Sequence, residues 1–259
     1  MRTHRVLRTH RRKLLIIVLA IFLVSFVPEK KKITVWLCGD STMSIKDPRY
    51  YPETGWGMPF ANFFDSTVTI ENRAKNGRST KTFISEKLWQ SVIENAKEGD
   101  YVFIQFGHND EAKEKVERFT TAEEYRANLL RFVNESRSKK AQPILLTPVT
   151  RRRFDANGKI MGTHDAYSAI VCELAAAEKV PLIDLDKKSQ ELLQQFGKEN
   201  SKWLFLQLQP GEHPNYPNGR DDNTHFNELG ARLVAQLVLK EMRNLNLELV
   251  ERVRPSVVK

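Results

Sequence analysis

Residues 33–43 read ITVWLCGDSTM, an apolar run that stops abruptly at a polar turn. The six residues Ile33–Cys38 are all apolar or β-branched, as in a strand that is buried on both faces. Gly39 ends the run, and Asp40 and Ser41 follow directly. The sequence therefore predicts a first buried strand that delivers a serine to the edge of a sheet.

Short apolar runs of this kind alternate with helical patterns along the rest of the chain, which predicts a parallel sheet covered by helices. The other runs predicted as strands are Val68–Glu71, Tyr101–Phe106, Pro143–Thr147 and Val180–Leu185. The predicted helices are one that begins at Thr121 with a capping box to Glu124, Ala166–Lys179 and Glu228–Arg243. Because crossovers between parallel strands are right-handed, we expect an open doubly wound α/β domain. Its ligands should bind beyond the carboxyl ends of the strands.

The positive charge of the chain is concentrated before this domain. Of the 41 Lys and Arg and the 32 Asp and Glu, nine basic residues and one acidic residue fall within residues 1–32. Residues 33–259 are therefore close to neutral overall. Since binding to nucleic acid requires a basic face on the domain itself, no nucleic-acid partner is predicted.

Residues 14–27 form an uncharged apolar run behind six basic residues. Its 14 residues suit the core of a signal peptide better than a bilayer crossing of about 20 residues. Residues 24–28, VSFVP, are however a poor cleavage site. We therefore expect residues 1–32 to be an export signal or an uncleaved signal anchor, followed by a domain at residues 33–259. Both alternatives place the domain outside the cytoplasm, with membrane contact only through an uncleaved segment.

Asp222 and His225 are the candidates to activate the serine at the end of the first strand. A serine hydroxyl is a weak nucleophile until a base, usually a histidine oriented by a carboxylate, removes its proton. Asp222 and His225 lie three residues apart, after a loop rich in Pro, Gly and Asn and directly before the last predicted helix. Taken alone, this spacing is also that of a helix start with an exposed histidine.

Acyl transfer also needs hydrogen-bond donors for the developing oxyanion. The candidate donors are the backbone N–H groups of Ser41 and Gly77 and the side-chain amide of Asn109. Asn76-Gly77 is also a common turn dipeptide, and Asn109 follows a predicted strand, so each of these signals is weak by itself.

Four blocks in this order resemble the SGNH (GDSL-type) hydrolases. The blocks are GDSTM at 39–43, the glycine of KNGRST at 75–80, GHND at 107–110 and DNTHFNELGA at 222–231. Together with QFGHND and TPVTRR, they are similar to the rhamnogalacturonan acetylesterases within that superfamily. The resemblance covers nearly all of the chain after residue 32.

This resemblance implies a single flavodoxin-like three-layer domain with five parallel strands. It also implies Ser41 as nucleophile, His225 as base, Asp222 as the acid that orients it, and Ser41, Gly77 and Asn109 as the oxyanion hole. The expected reaction removes acetyl groups from a pectic polysaccharide or oligosaccharide, with no cofactor and no metal.

Other functions remain open at this point. The esterase could act on other acetylated glycans or on lipid or aryl esters, although the polar loop at residues 209–220 favours sugar over lipid. A metal-dependent deacetylase would use Asp222, His225 and a further histidine, but no HExxH motif is present. A non-catalytic glycan-binding module is the third alternative.

Several further residues have two interpretations each. Arg151–Arg153 could bind galacturonate carboxylates or form a solvated loop. His164 and Tyr167 begin a predicted helix, beside the cleft or on the surface, and His108 is expected near the site without an assigned role. Cys38 and Cys172 could pair in an exported domain, or they could be buried free thiols.

Overall fold

Five parallel strands form the central sheet of the computed structural model, which describes residues 30–255. The strands are β1 (Ile33–Gly39), β2 (Val68–Asn72), β3 (Tyr101–Gln105), β4 (Gln142–Leu146) and β5 (Leu182–Ile183). Their order in the sheet is β2-β1-β3-β4-β5, and every neighbouring pair is parallel. The prediction of an α/β domain with five parallel strands is confirmed. The expected export segment lies almost entirely outside the described residues.

Helices connect the strands of this sheet. They are α1 (Gly57–Phe60), α2 (Thr80–Ser85), α3 (Leu88–Asn95), α4 (Ala122–Ser138), α5 (Asp165–Glu178), α6 (Leu185–Asn200) and α7 (Glu228–Asn244). Thr121 caps α4 as predicted: its side chain accepts from the Glu124 N–H, and Glu124 bonds back to the Thr121 N–H. Within residues 30–255, no helix has both the length and the apolar character needed to cross a membrane.

The sheet separates two apolar layers, because successive residues of a strand point to opposite faces. In β1, Val35 and Leu37 join one layer with α1, α6 and α7, whereas Trp36 and Cys38 join the other with α2, α3, α4 and α5. This arrangement gives the expected three layers. Cys38 is a free buried thiol whose pKa is raised by burial, and Cys172 in α5 is also free.

A second, two-stranded sheet carries part of the candidate site. It pairs β6 (Phe205–Leu208) with β7 (Arg220–Phe226) in antiparallel orientation. The sequence predicted a loop running directly into the last helix at this point, so β7 is an element that the prediction missed. The polar segment RDDNTHF has no apolar alternation, and it is a strand because its backbone pairs with β6.

The helix that follows β7 packs unusually close to the segment that precedes β6. A Cβ built on Gly230, in the first turn of α7, would lie 1.9 Å from the Leu204 carbonyl oxygen. That oxygen is a backbone atom, so it can move away only if the surrounding chain moves with it. The absence of a side chain at Gly230 is therefore what allows α7 to sit against this segment.

Gly230→Ala should destabilise the protein, although alanine favours an exposed helix over glycine by about 1 kcal/mol. We expect a loss of about 1–3 kcal/mol in the free energy of unfolding, because overpacking must displace backbone. Urea denaturation followed by circular dichroism measures it. The matched control is Leu229→Ala at the neighbouring position, where the side chain is 49% exposed. A Gly230→Ala variant as stable as the wild type would contradict the packing argument.

Candidate active site

A series of buried hydrogen bonds holds the polar turn after β1 in place. The Trp56 indole N–H donates to Gln105 Oε1 (2.7 Å), and Gln105 Nε2 donates to Thr42 Oγ1 (2.8 Å). Thr42 donates to Asp40 Oδ1 through its hydroxyl (2.7 Å) and through its backbone N–H (2.9 Å). Ser41 lies within this turn, so its backbone is fixed before any substrate arrives.

The structure brings Ser41, His225 and Asp222 into one hydrogen-bonded line. His225 Nε2 lies 2.9 Å from Ser41 Oγ, and His225 Nδ1 lies 2.8 Å from Asp222 Oδ2. Both ring nitrogens of the histidine are thereby engaged, one with the hydroxyl and the other with the carboxylate. This is the geometry in which an imidazole can take a proton from a serine while a carboxylate fixes its tautomer.

Asp222 is held ionised by its surroundings. Its Oδ1 accepts the backbone N–H groups of Thr224 (2.8 Å) and His225 (2.9 Å), and Arg220 Nη2 lies 3.2 Å from Oδ2. Burial by itself would raise the pKa of this carboxyl. The hydrogen bond from the His225 ring, the charge of that ring and the two backbone N–H groups outweigh burial and hold the pKa well below its usual value.

Gly77 lies in a turn that is attached to the end of β1. The Lys75 N–H donates to the Gly39 carbonyl (3.0 Å), and the Arg78 N–H closes the turn on the Lys75 carbonyl (3.3 Å). Gly77 has φ +75°, a conformation that glycine adopts without strain. Within the described residues, the backbone N–H groups of Ser41 and Gly77 make no hydrogen bond. Both donors are therefore available to an oxygen of a bound ligand.

Asn109 is tied to the same turn from the loop after β3. Its Nδ2 donates to the Arg78 carbonyl (3.0 Å), and its Oδ1 accepts from Arg118 Nη1 (3.0 Å). Asp110 next to it anchors the loop, because its Oδ1 accepts the N–H of Thr80 (2.9 Å) at the start of α2. The sequence blocks after β1, β2 and β3 thus meet, as expected for the carboxyl ends of parallel strands.

Lys46 joins two of these turns and was not among the predicted site residues. Its ammonium donates to the Ser41 carbonyl (2.6 Å) and to Asn76 Oδ1 (2.8 Å), and it pairs with Glu53 at 2.7 Å. The Ser44 hydroxyl also donates to Asn76 Oδ1 (2.6 Å). Burial lowers the pKa of Lys46 while Glu53 opposes that shift. In the sequence, this lysine looks like any charged residue of a surface loop, so no signal distinguishes it.

His108 and His164 form a buried pair beside the candidate site. Their ring centroids are 4.2 Å apart, and His164 Nδ1 lies 2.9 Å from Glu111 Oε1. Burial, together with the neighbouring His164, Arg151 and His225, lowers the pKa of His108 well below its usual value. His108 is therefore a neutral ring, near the site as the sequence suggested. His164 is buried, not a surface residue.

Two of the three arginines at 151–153 have partners inside the protein. Arg151 Nη1 lies 3.0 Å from Glu111 Oε1, and Arg152 bonds to Asn223 Oδ1 (2.8 Å). Arg153 is exposed. Tyr167, predicted either beside the cleft or on the surface, is half-buried and donates its hydroxyl to the Thr120 carbonyl (2.5 Å). The described part of the chain contains no group of three or more His, Cys, Asp or Glu that could hold a metal ion.

Comparisons with known proteins place these features in one family. The GDSL-like Lipase/Acylhydrolase family matches residues 37–233. The rhamnogalacturonan acetylesterase RhgT of Bacillus subtilis is 44% identical over 220 residues, which cover 85% of this chain and 94% of that protein. YesY of the same organism, whose name describes it as a probable rhamnogalacturonan acetylesterase, is 34% identical over 84% of this chain and 95% of its own length.

Solved structures agree on the fold. The crystal structure of YxiM from Bacillus subtilis superposes with a TM-score of 0.73 at 25% identity, over 84% of this chain and 58% of that one. An acetylxylan esterase, Axe2 from Geobacillus stearothermophilus, has a TM-score of 0.57 at 16% identity, over 82% of this chain and 94% of its own. The latter likeness concerns the fold alone. The four sequence blocks, the three-layer fold and these matches lead to one conclusion: the chain belongs to the GDSL-like lipase/acylhydrolase family, the SGNH hydrolases.

Proposed function

We propose that this protein is a serine esterase that removes acetyl groups from a carbohydrate. The observation that carries the proposal is the line from Ser41 Oγ through the His225 ring to Asp222, with contacts of 2.9 and 2.8 Å. Its members come from the two ends of the domain, and only the fold brings them together. A non-catalytic glycan-binding module has no need of this arrangement.

In the proposed first step, Ser41 Oγ forms a bond to the acetyl carbonyl carbon while His225 Nε2 takes the hydroxyl proton. Asp222 stabilises the resulting imidazolium. The carbonyl oxygen becomes an oxyanion that accepts hydrogen bonds from the Ser41 and Gly77 N–H groups and from the Asn109 amide. The C–O bond to the sugar then breaks, and His225 gives its proton to the departing sugar oxygen.

The second step returns the enzyme to its starting state. His225 takes a proton from a water molecule as that water attacks the acetyl carbon on Ser41. The bond between the acetyl group and Ser41 breaks, the serine oxygen regains a proton from His225, and acetate leaves. No electron donor or cofactor is needed to balance either step.

We place the substrate among acetylated pectic polysaccharides, specifically acetylated rhamnogalacturonan. The support is the name of RhgT, a rhamnogalacturonan acetylesterase that is 44% identical over 94% of its length. The surroundings of the candidate site are polar: Arg220, which pairs with Asp222, is exposed, as is most of the loop at residues 209–219. A hydrated, charged polymer suits such a rim better than a long acyl chain does.

We also propose that the domain acts outside the cytoplasm. The support is the sequence of residues 1–32, where a basic flank precedes a 14-residue apolar run. A pectic polymer is itself too large to cross a membrane by diffusion, so an exported enzyme meets its substrate directly.

Acetate release from a panel of acetylated polysaccharides tests the proposed activity. The purified enzyme should release acetate from acetylated rhamnogalacturonan faster than from acetylated xylan and should not cleave long-chain acyl esters. Ser41→Ala should lower kcat by about 10⁴-fold or more, because the nucleophile is lost. Ser138→Ala, a surface serine of α4, is the matched control and should keep full activity. Equal acetate release by Ser41→Ala and the wild type would refute the serine mechanism.

Asn109→Ala should lower kcat on an aryl acetate by about 10²–10³-fold, the usual cost of removing one oxyanion donor. KM should change little, since the donor acts on the charge that develops in the transition state. Asn95→Ala, at the exposed end of α3, provides the comparison for a substitution of the same type. An Asn109→Ala variant with unchanged kcat would remove Asn109 from the oxyanion hole.

The export proposal is tested by fusing residues 1–32 to a phosphatase that becomes active only outside the bacterial cytoplasm. We expect phosphatase activity in the fusion. Its loss is expected when the apolar run at 14–27 is interrupted by two aspartates. An inactive, well-expressed fusion would show that the segment does not direct export.

A further inference from the structure

Arg118 contacts two parts of the proposed oxyanion hole, although no sequence motif singles it out. It lies in the loop between β3 and α4, and its side chain is 21% exposed. One nitrogen, Nη1, donates to Asn109 Oδ1 (3.0 Å) and to the Gly77 carbonyl (3.2 Å). The turn after β2 and the loop after β3 are thereby joined through one guanidinium group.

Arg118 and the Arg78 carbonyl together determine which way the Asn109 amide faces. An arginine has only donors, so the amide atom beside it must be the oxygen. The amide nitrogen then points to the Arg78 carbonyl, where it donates at 3.0 Å. An amide nitrogen carries two hydrogens, and within the described residues the second has no acceptor. The orientation set by Arg118 thus leaves one N–H available for a ligand oxygen.

Arg118 also restrains the turn that carries Gly77. Its bond to the Gly77 carbonyl fixes the plane of the peptide that follows the glycine. A Cβ built on Gly77 would lie 3.1 Å from Arg118 Nη1, so a side chain at this position would push the guanidinium away from the backbone. At φ +75°, glycine permits both this close contact and the turn itself.

We propose that Arg118, anchored on the Gly77 carbonyl, is a positioning residue that holds the Asn109 amide in the orientation needed to bind the oxyanion. The proposal rests on the esterase function proposed above. Arg118 touches no reacting atom and acts through Asn109. Without it, the amide is held only by its bond to the Arg78 carbonyl, so its second N–H is aimed less firmly at the developing negative charge.

An arginine suits this role better than a lysine. Its planar, delocalised guanidinium has directional donors on a rigid fork, so it can bridge two acceptors at fixed angles. A lysine ammonium keeps the charge but is a compact point donor on a flexible stem. Arg118→Lys should therefore retain more activity than Arg118→Met, without reaching the wild type.

A double-mutant cycle between Arg118 and Asn109 tests this role. Arg118→Met should lower kcat on an aryl acetate by about 10- to 100-fold, less than the roughly 10²–10³-fold of removing an oxyanion donor, with KM little changed. In an Asn109→Ala background, the same substitution should lower kcat by less than about threefold, because the group on which Arg118 acts is gone. Arg131→Met, an exposed arginine of α4, is the matched control and should leave kcat unchanged.

The results of this cycle decide whether Arg118 acts through Asn109. If Arg118→Met lowers kcat by the same factor with and without Asn109, Arg118 does not act through the amide and the proposal is overturned. If Arg118→Met does not fold, Arg118→Lys is carried through the same cycle. Ser41→Ala in the same assay tests the esterase mechanism itself, and full activity of that variant would refute both proposals. If Ser41→Ala is inactive while Arg118→Met lowers kcat by the same factor with and without Asn109, only the role of Arg118 is refuted.

Discussion

The parallel pairing of β1 with β2 and β3 is the constraint on which the candidate site depends. Leu37 pairs with Asn72, and Gly39 pairs with Gln105, so the three strands end at nearly the same level of the sheet. The chain then turns away from each strand at one edge. Polar residues that follow the strands meet there because of this register, and a shift of β1 by one residue would move Ser41 away from its partners.

Buried polar groups give this edge its rigidity. Unpaired polar groups are costly in an apolar interior, so a buried polar side chain is stabilised when it finds a partner. The hydrogen bonds from Trp56 through Gln105 to Thr42 provide such partners next to the turn that carries Ser41. Lys46, paired with Glu53, does so beside it and binds the Ser41 carbonyl as well. Satisfying these groups therefore fixes the backbone of the turn in a single arrangement.

Much of the fold could be predicted from local sequence, and the missed features have a common cause. The buried strands follow from continuous apolar runs, and the start of α4 follows from the Thr121 cap. The pairing of β6 with β7 could not be predicted, because the strand that carries His225 is polar up to its last residue, Phe226. Lys46 and Arg118 were missed because long charged side chains usually lie in solvent. Only tertiary contacts reveal that these two face inward.

Ser41 and His225 are separated by 184 positions along the chain, and the last helix follows His225 directly. A nascent chain on the ribosome has therefore made Ser41, the proposed nucleophile, long before it can make His225, the proposed base. A fragment that lacks His225, like a chain that is still unfolded, has no proton acceptor next to the Ser41 hydroxyl. Under the proposed mechanism, ester cleavage therefore requires nearly the entire domain to have folded, and Ser41 carries an inert hydroxyl until the segment with His225 has packed.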